Sequence, residues 1–465
     1  LASLHVAILG SGSAAFACAL RAAEEGARVT MIERGMLGGT CVNVGCVPSK
    51  VLIRGAEIAR LQAAHPFDGV ERCRPVIRRN AMVAQQQALV DTLRYAKYRR
   101  ILEENPAIRL LEGFGRFRDT RSLVITGRDG REETLAADRF LIATGASPAI
   151  PSIPGLADTP YWTSAEALVA EEIPKHLIVL GGSAVGLEIG QAFLHLGARV
   201  SVIELQSLLP RMDPDLGTGL QRLLEEEGAR VLTHTRARAI SFHGHRFHVD
   251  LGAERLSGDR LLVATGRRPN TAGLGLEAIG VATDPAGAVC VDRRLCTSVP
   301  HIYAAGDCTN LPQLVYVAAA AGTRAAVNML GGEAALDLSV VPAVVFTSPQ
   351  VATVGLTEQE ARTKGVQAES RLLALENVPR ALANFDTRGF VKLVAARGSG
   401  RLLGAHVLGS EAGEIIQAAA LALRARMSMA ELAESLFPYL TMVEGLRLCA
   451  QAFAKDVEKL SCCAG

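Results

Sequence analysis

The feature that most narrows what this chain can fold into is a short pattern that occurs twice. In the first copy an apolar run, His5–Leu9, leads into the glycine turn Gly10-Ser11-Gly12-Ser13-Ala14-Ala15. A stretch of small and apolar residues, Phe16–Glu25, reads as a helix, and a second apolar run, Arg28–Ile32, ends in Glu33. Strand, tight turn, helix, strand and acid is the order of a dinucleotide-binding unit. The glycines let backbone N–H groups approach a pyrophosphate at a helix N-terminus, and the acid accepts hydrogen bonds from ribose hydroxyls. The second copy runs through His176–Leu180, Gly181-Gly182-Ser183-Ala184-Val185-Gly186, Leu187–Leu196, Arg199–Ile203 and Glu204. Ser183 stands where the pattern usually has its middle glycine.

Two such units point to two dinucleotides, or to one dinucleotide and a structural echo, and a hydride relay from nicotinamide to flavin needs two. Composition agrees. At 465 residues the chain is long enough for about three domains. It is 49% apolar and 21% charged, which excludes a disordered or coiled-coil chain, and 49 basic against 47 acidic residues give it no global field for nucleic acid. No apolar stretch reaches the ~20 residues of a membrane helix. No secretory leader is legible, and ten cysteines are too few for a disulfide scaffold, so a cytoplasmic protein is expected.

Two related segments close the units, Leu141-Ile142-Ala143-Thr144-Gly145-Ala146 and Leu262-Val263-Ala264-Thr265-Gly266-Arg267. A third, His301 to Cys308, ends a strand on Gly306-Asp307. Asp307 can bond the ribityl or phosphate side of a flavin dinucleotide, or cap a helix N-terminus. The most specific stretch is Gly38-Gly39-Thr40-Cys41-Val42-Asn43-Val44-Gly45-Cys46-Val47-Pro48-Ser49-Lys50. Two cysteines five apart at the entry to a helix can close as a disulfide or open to two nucleophiles, and a helix N-terminus favours the thiolate.

These motifs resemble the flavin-dependent pyridine nucleotide–disulfide oxidoreductases over essentially the whole chain. The resemblance implies an α/β fold with two Rossmann-like dinucleotide-binding domains and a C-terminal α+β dimerisation domain. The implied parts are an FAD domain (1–150), an NAD(P) domain (151–270), a central domain completing the FAD side (271–340) and a dimerisation domain (341–465). FAD is expected at Gly10, Gly12, Ala15, Glu33, Gly39, Thr40, Lys50, Thr144, Gly145 and Asp307. NADH or NADPH is expected at Gly181, Ser183, Gly186, Glu204 and Gly266. The resemblance makes Cys41 the outer, substrate-facing thiol and Cys46 the flavin-side thiol. Lys50, one turn past Cys46, approaches the flavin. Glu188 resembles the acid near the nicotinamide and Lys50, its alternative being a solvated helix glutamate.

Relatives that reduce small organic disulfides carry His-Pro-Thr near the C-terminus, with a Glu three residues beyond. Here the segment is Phe437-Pro438-Tyr439-Leu440-Thr441-Met442-Val443-Glu444. Thr441 and Glu444 are in place, but Tyr439 replaces the proton-handling His, and a phenol is a poor general base near neutrality. The chain then ends Ser461-Cys462-Cys463-Ala464-Gly465, a cysteine pair that can serve a soft metal or be an incidental reactive tail. Together with Ala343–Gln350 and Tyr98, these features resemble the Hg(II)-reducing members of the family. That implies a catalytic core acting on Hg(II) as a thiol adduct in a homodimer with composite sites. Cys462, Cys463 and Tyr439 of one subunit would face Cys41, Cys46 and Tyr98 of the other. A dihydrolipoamide or glutathione-type reductase is the competing reading.

Glu204 goes against the NADPH habit of that branch, because an acid there suits two free ribose hydroxyls and repels a 2′-phosphate. Arg211 is a candidate counter-charge. Cys18 reads as core filler, and Cys73, Cys290, Cys296, Cys308 and Cys449 lack ligand spacing. His243, His245 and His248 read as an exposed hairpin face, and Glu225-Glu226-Glu227 as a solvated helix face. Gly398-Ser399-Gly400 reads as a hairpin turn.

Overall fold

A computed structural model describes residues 3–455. The chain divides into two compact units. The first comprises Leu1–Val51, Asn80–Ile150 and Gly266–Asp337. The second comprises Leu52–Arg79, Pro151–Thr265 and Leu338–Gly465.

In the first unit five strands form one parallel sheet. Their order is Ile302–Ala304, Arg139–Ile142, His5–Leu9, Arg28–Glu33 and Ile108–Glu112. Val6, Ala7 and Ile8 are fully buried. That is why His5–Leu9 is a continuous apolar run rather than an alternating one, since a central parallel strand is covered on both faces. Helices Ser13–Glu24 and Val315–Met329 pack on each other, with Ala15, Ala19, Ala22, Ala321, Ala325 and Ala326 buried.

The second unit carries a parallel sheet in the order Arg230–Leu232, Arg199–Ile203, His176–Leu180 and Arg260–Val263. It also carries an antiparallel five-stranded sheet, ordered Ala343–Val345, Gln350–Gly355, Leu402–Gly409, Phe390–Ala396 and Ala368–Ala374. Gly398-Ser399-Gly400 turns between the antiparallel neighbours Phe390–Ala396 and Leu402–Gly409, as expected. Among the described residues no helix is long and apolar enough to cross a membrane.

The two parallel sheets repeat one another in more than their glycines. His5 Nδ1 lies 3.0 Å from the Ala136 carbonyl and Nε2 lies 2.9 Å from Thr30 Oγ1. His176 copies this, with Nδ1 2.9 Å from the Ser257 carbonyl and Nε2 2.9 Å from Ser201 Oγ. The backbone N–H of each donates to a carboxylate, Asp138 for His5 at 2.8 Å and Asp259 for His176 at 2.6 Å. A carbonyl at Nδ1 and a hydroxyl at Nε2 select the neutral Nδ1–H tautomer.

Burial, with Arg28 and Arg199 among the lesser causes, lowers the pKa of both rings below the ordinary value. A folded-state pKa below the unfolded one gives stability that is present above the unfolded pKa and lost as pH falls through the folded one. The urea midpoint is therefore expected to fall between about pH 7.5 and about pH 5.5, and to fall less in a His5→Asn/His176→Asn double variant. An equal loss in parent and variant would assign the acid sensitivity elsewhere.

Candidate active site

The first glycine turn is shaped by backbone contact. Gly10 has φ +112°, and a Cβ there would lie 2.3 Å from the Ala143 carbonyl oxygen. Gly12 is the N-cap of Ser13–Glu24 and supplies no side-chain cap, so the N–H groups of the first helical turn face outward. Gly39, at φ +66°, approaches it so closely that a Cβ would sit 2.7 Å from Gly12 Cα. Ala15 is buried where the helix meets the sheet.

Glu33 ends its strand with a fixed carboxylate. Ser11 Oγ donates to it at 2.7 Å and the Gly35 N–H at 2.6 Å. Beside it is a cavity of about 370 Å³ lined by Glu33, Met36, Leu37, Arg94 and Tyr95, among others. An uncapped helix N-terminus, a bare glycine cradle, a fixed carboxylate and an adjoining cavity fit an FAD.

Thr144 and Gly145 meet the Gly266–Asn270 segment. Asn270 donates its backbone N–H to the Gly145 carbonyl and its side-chain amide to that of Thr144, both at 2.9 Å. Ala149 donates to the Gly266 carbonyl at 2.9 Å. Arg267 donates to the Ala146 carbonyl and lies 4.0 Å from Asp307. Burial pushes the Asp307 carboxyl up, and Arg267 opposes it. The capping alternative for Asp307 is corrected, because the next helix starts at Val315 with Leu314 as its N-cap.

The thiol pair spans a break between two helices. Cys41 lies in Gly39–Val44 and Cys46 is the first residue of Cys46–Ala64. Gly45 sits at the break, where a Cβ would lie 2.9 Å from the Thr40 carbonyl oxygen. Cys41 is half-buried and Cys46 exposed. A hydrogen bond with the Cys46 side chain pushes the Cys41 thiol up. Burial and the Cys46 charge add to the shift, while Lys50 pulls the other way. Cys41 is thus the member that holds its proton.

Tyr98 lies within electrostatic reach of this pair. It lies in a single π-helical turn, Tyr95–Arg99, between helices Arg79–Arg94 and Arg100–Glu104. Its ring meets the Phe16 ring edge-on at 4.7 Å. Burial raises the Tyr98 hydroxyl, Cys41 adds to this, and a hydrogen bond with the Ser13 side chain opposes it. The sequence marked Tyr98 but not Ser13, Phe16 or the π turn.

The second glycine turn repeats the first. Gly181 has φ +109° and a Cβ there would lie 2.3 Å from the Ala264 carbonyl oxygen. Ser183 takes the Gly12 position with φ −104°, extended backbone that any residue adopts, which is why serine is tolerated. Gly186 is bare against Gly181, whose carbonyl oxygen would be 2.1 Å from a Cβ. Glu204 accepts the Gly182 N–H at 2.6 Å and the Gln206 N–H at 2.9 Å.

Glu188 is only 7% exposed and accepts the Phe346 N–H at 2.9 Å, so the solvated reading of it is corrected. One turn on, Gln191 accepts the Ser348 N–H and donates to the Ser348 carbonyl, both at 2.8 Å. No residue pattern signalled this clamp. Glu225 and Glu226 are exposed, as the solvated reading of their run expects, but Glu227 is not. It closes the helix Pro214–Glu226 and binds Arg60 and Arg388 at 2.9 and 3.0 Å, with His195 and Gln191 at 3.0 and 2.9 Å.

Tyr439 is exposed, and Thr441 Oγ1 donates to the Pro438 carbonyl at 2.8 Å. Glu444 is buried at the start of Glu444–Gln451. Its Oε1 lies 3.8 Å from Arg447, and its Oε2 has no partner among the described residues. Cys462 and Cys463 lie outside the described residues. Among the described residues no cluster of three or more His, Cys, Asp or Glu is placed to hold a metal ion, and Cys41 and Cys46 offer two sulfurs.

Residues 4–322 match the family described as pyridine nucleotide-disulphide oxidoreductase, and residues 341–450 match that family's dimerisation domain. The chain belongs to the pyridine nucleotide–disulphide oxidoreductases. Within that class it is 59% identical to the mercuric reductase of Shigella flexneri, over 100% of this chain and 83% of the relative. It is 58% identical to the mercuric reductase of Acidithiobacillus ferrooxidans, over 99% of this chain and 85% of the relative. For the Streptomyces lividans mercuric reductase the identity is 46%, over 99% of this chain and 98% of the relative. Among solved structures, the Cu(II) complex of the flavoprotein disulfide reductase RclA from Escherichia coli superposes with a TM-score of 0.87. It is 30% identical, covering 98% of this chain and 100% of that one. LpdA from Mycobacterium tuberculosis gives a TM-score of 0.87 at 30% identity, covering 97% of this chain and 100% of that one.

Proposed function

We propose that this chain is a catalytic unit that reduces Hg(II) to Hg(0) with two electrons from NADPH or NADH, acting as a homodimer in the cytoplasm. The observation that carries the reading is the identity of 46–59% to mercuric reductases over nearly the whole chain. The Cys41/Cys46 pair, within electrostatic reach of Tyr98, supports it. The functional parts are an FAD domain to residue 150, an NAD(P) domain to 270, a central domain to 340 and a dimerisation domain beyond.

Gly10, Gly12, Ala15, Glu33, Gly39, Thr40, Lys50, Thr144, Gly145 and Asp307 would hold FAD, which when bound exchanges two electrons between nicotinamide nucleotide and thiol pair. The nucleotide is held by Gly181, Ser183, Gly186, Glu204 and Gly266, with the buried Glu188 orienting its reactive end. Hg(II) arrives as a bis-thiolate adduct. Cys462 and Cys463 of the partner subunit displace the two external thiols, which leave protonated. Cys41 and Cys46 then take the metal by a second exchange. Two thiolate sulfurs suit the soft Hg(II) ion better than harder cations.

Tyr98, with the partner subunit's Tyr439, lines the metal pocket, and the buried Glu444 fixes the start of the helix that follows Tyr439. Two electrons convert Hg(II) to Hg(0), NAD(P)H becomes NAD(P)⁺ and a proton, and uncharged mercury leaves because it no longer bonds to thiolate.

Anaerobic turnover with NADH or NADPH, Hg(II) and excess thiol, with volatile Hg(0) trapped, tests the reading. One Hg(0) per nucleotide oxidised is expected. No Hg(0), together with brisk reduction of glutathione disulfide or lipoamide, would overturn it. In the same assay a Cys462→Ala/Cys463→Ala variant is expected to lose roughly tenfold or more with Hg(II) chelated by a dithiol, while retaining turnover of weakly liganded Hg(II). Parental rates with the chelate would remove the relay role.

A further inference from the structure

Tyr98 is held from a helix that ordinarily serves only the dinucleotide. Ser13 and Phe16 are three residues apart, so they share one face of Ser13–Glu24. That face meets Tyr98 at two points. The Phe16 ring packs edge-on against the phenol at 4.7 Å with an interplanar angle of 87°, and the Ser13 and Tyr98 side chains share a hydrogen bond. Gly38 also lies close, since a Cβ built on it would be 3.3 Å from the Tyr98 ring. Phe16 is buried, and Ser13 directly follows the N-cap glycine. The glycine turn itself demands neither residue. Position 13 is an ordinary helical position, and position 16 is a core site that any apolar side chain could fill. Their pairing on one phenol next to Cys41 is unexplained by nucleotide binding.

We propose that Ser13 and Phe16 are positioning residues for substrate, clamping Tyr98 so that its hydroxyl stays fixed beside Cys41 in the Hg(II) pocket. The proposal rests on the Hg(II) reading above. Ser13 holds the phenolic oxygen in place by donating its hydroxyl proton to it. Phe16 removes the freedom of the ring, since an edge-to-face contact is lost if the ring swings. The substrate pocket and the dinucleotide turn thereby draw on the same two turns of helix.

The test is a double-mutant cycle with two readouts. Ser13→Ala is expected to raise KM for Hg(II) about fivefold, the effect of one lost hydrogen bond, with kcat within about twofold of the parent. Phe16→Leu, which keeps apolar volume but removes the ring edge, is expected to do the same. In a Tyr98→Phe background Ser13→Ala is expected to add nothing. A KM increase of equal size in both backgrounds, or none in either, would overturn the clamp.

The second readout needs no turnover. Tyrosinate ultraviolet absorbance, taken as the difference from Tyr98→Phe, is expected to titrate at higher pH in Ser13→Ala, because the donor to the ionised oxygen is gone. An unchanged titration would also overturn the proposal. If the parent releases no Hg(0) while this titration still moves, the Hg(II) reading fails and the clamp on Tyr98 stands.

Discussion

Replacing either Cys41 or Cys46 with alanine is expected to reduce Hg(II)-dependent nucleotide oxidation by roughly a thousandfold. The two thiols are not equivalent copies. Cys46 is exposed and opens a long helix, where the first-turn dipole favours negative charge on sulfur. Cys41 is half-buried and keeps its proton through the hydrogen bond with Cys46. In the proposed mechanism, removing Cys46 or Cys41 takes away one of the two sulfurs that would hold Hg(II). Each single loss therefore costs nearly what the double loss costs, as for residues that act as a unit. Anaerobic Hg(0) release from the two single variants and the double variant checks this. More than about a tenth of parental activity in either single variant would mean that one thiol suffices.

The second large effect concerns the nucleotide. NADH is expected to exceed NADPH in kcat/KM by about tenfold or more, and Glu204→Ala is expected to narrow or reverse that ratio. The carboxylate cannot swing aside. Its two oxygens accept the Gly182 and Gln206 N–H groups, and the backbone around it is tied to residues 234 and 235 of the same chain by Thr235 and His234 N–H bonds to the Glu204 and Gln206 carbonyls. A 2′-phosphate brought to this position meets a fixed negative charge, and even well-screened like charges at contact cost ~1 kcal/mol each. Parallel kcat/KM measurements with both nucleotides decide the matter. A strong NADPH preference that Glu204→Ala leaves untouched would show that another residue, with Arg211 the first to examine, sets the choice.

Much of this was legible in the residues because the informative features are local. A glycine turn between apolar runs, an acid at a strand end and two cysteines five apart each declare their geometry within a dozen residues. Gly10 and Gly181 adopt the positive φ their positions demand, and Ser183 departs from the pattern only where the backbone is extended. What the sequence withheld depends on which way a helix faces. Glu227 belongs to an acidic run that reads as solvent-facing, yet the end of its helix turns it onto Arg60 and Arg388. His5 and His176 look like chance strand-starting residues until their matching partners, far along the chain, are seen together. Gln191 has no chemical signature at all before Ser348 is placed against it.

The π turn at Tyr95–Arg99 has a consequence of phase. Such a turn is an α-helix carrying one surplus residue, and each residue of an α-helix advances the azimuth by about 100°. Deleting Ala96 or Lys97 from the turn would let the backbone close as a regular α-helix from Arg79 onward and would rotate the tyrosine by roughly that angle relative to the preceding segment. The phenol would be carried off the Phe16 edge with no change to any residue it touches. A single-codon deletion outside the thiol motif and outside both glycine turns is thus a clean way to take the tyrosine out of the pocket while every side chain that lines it remains in the protein.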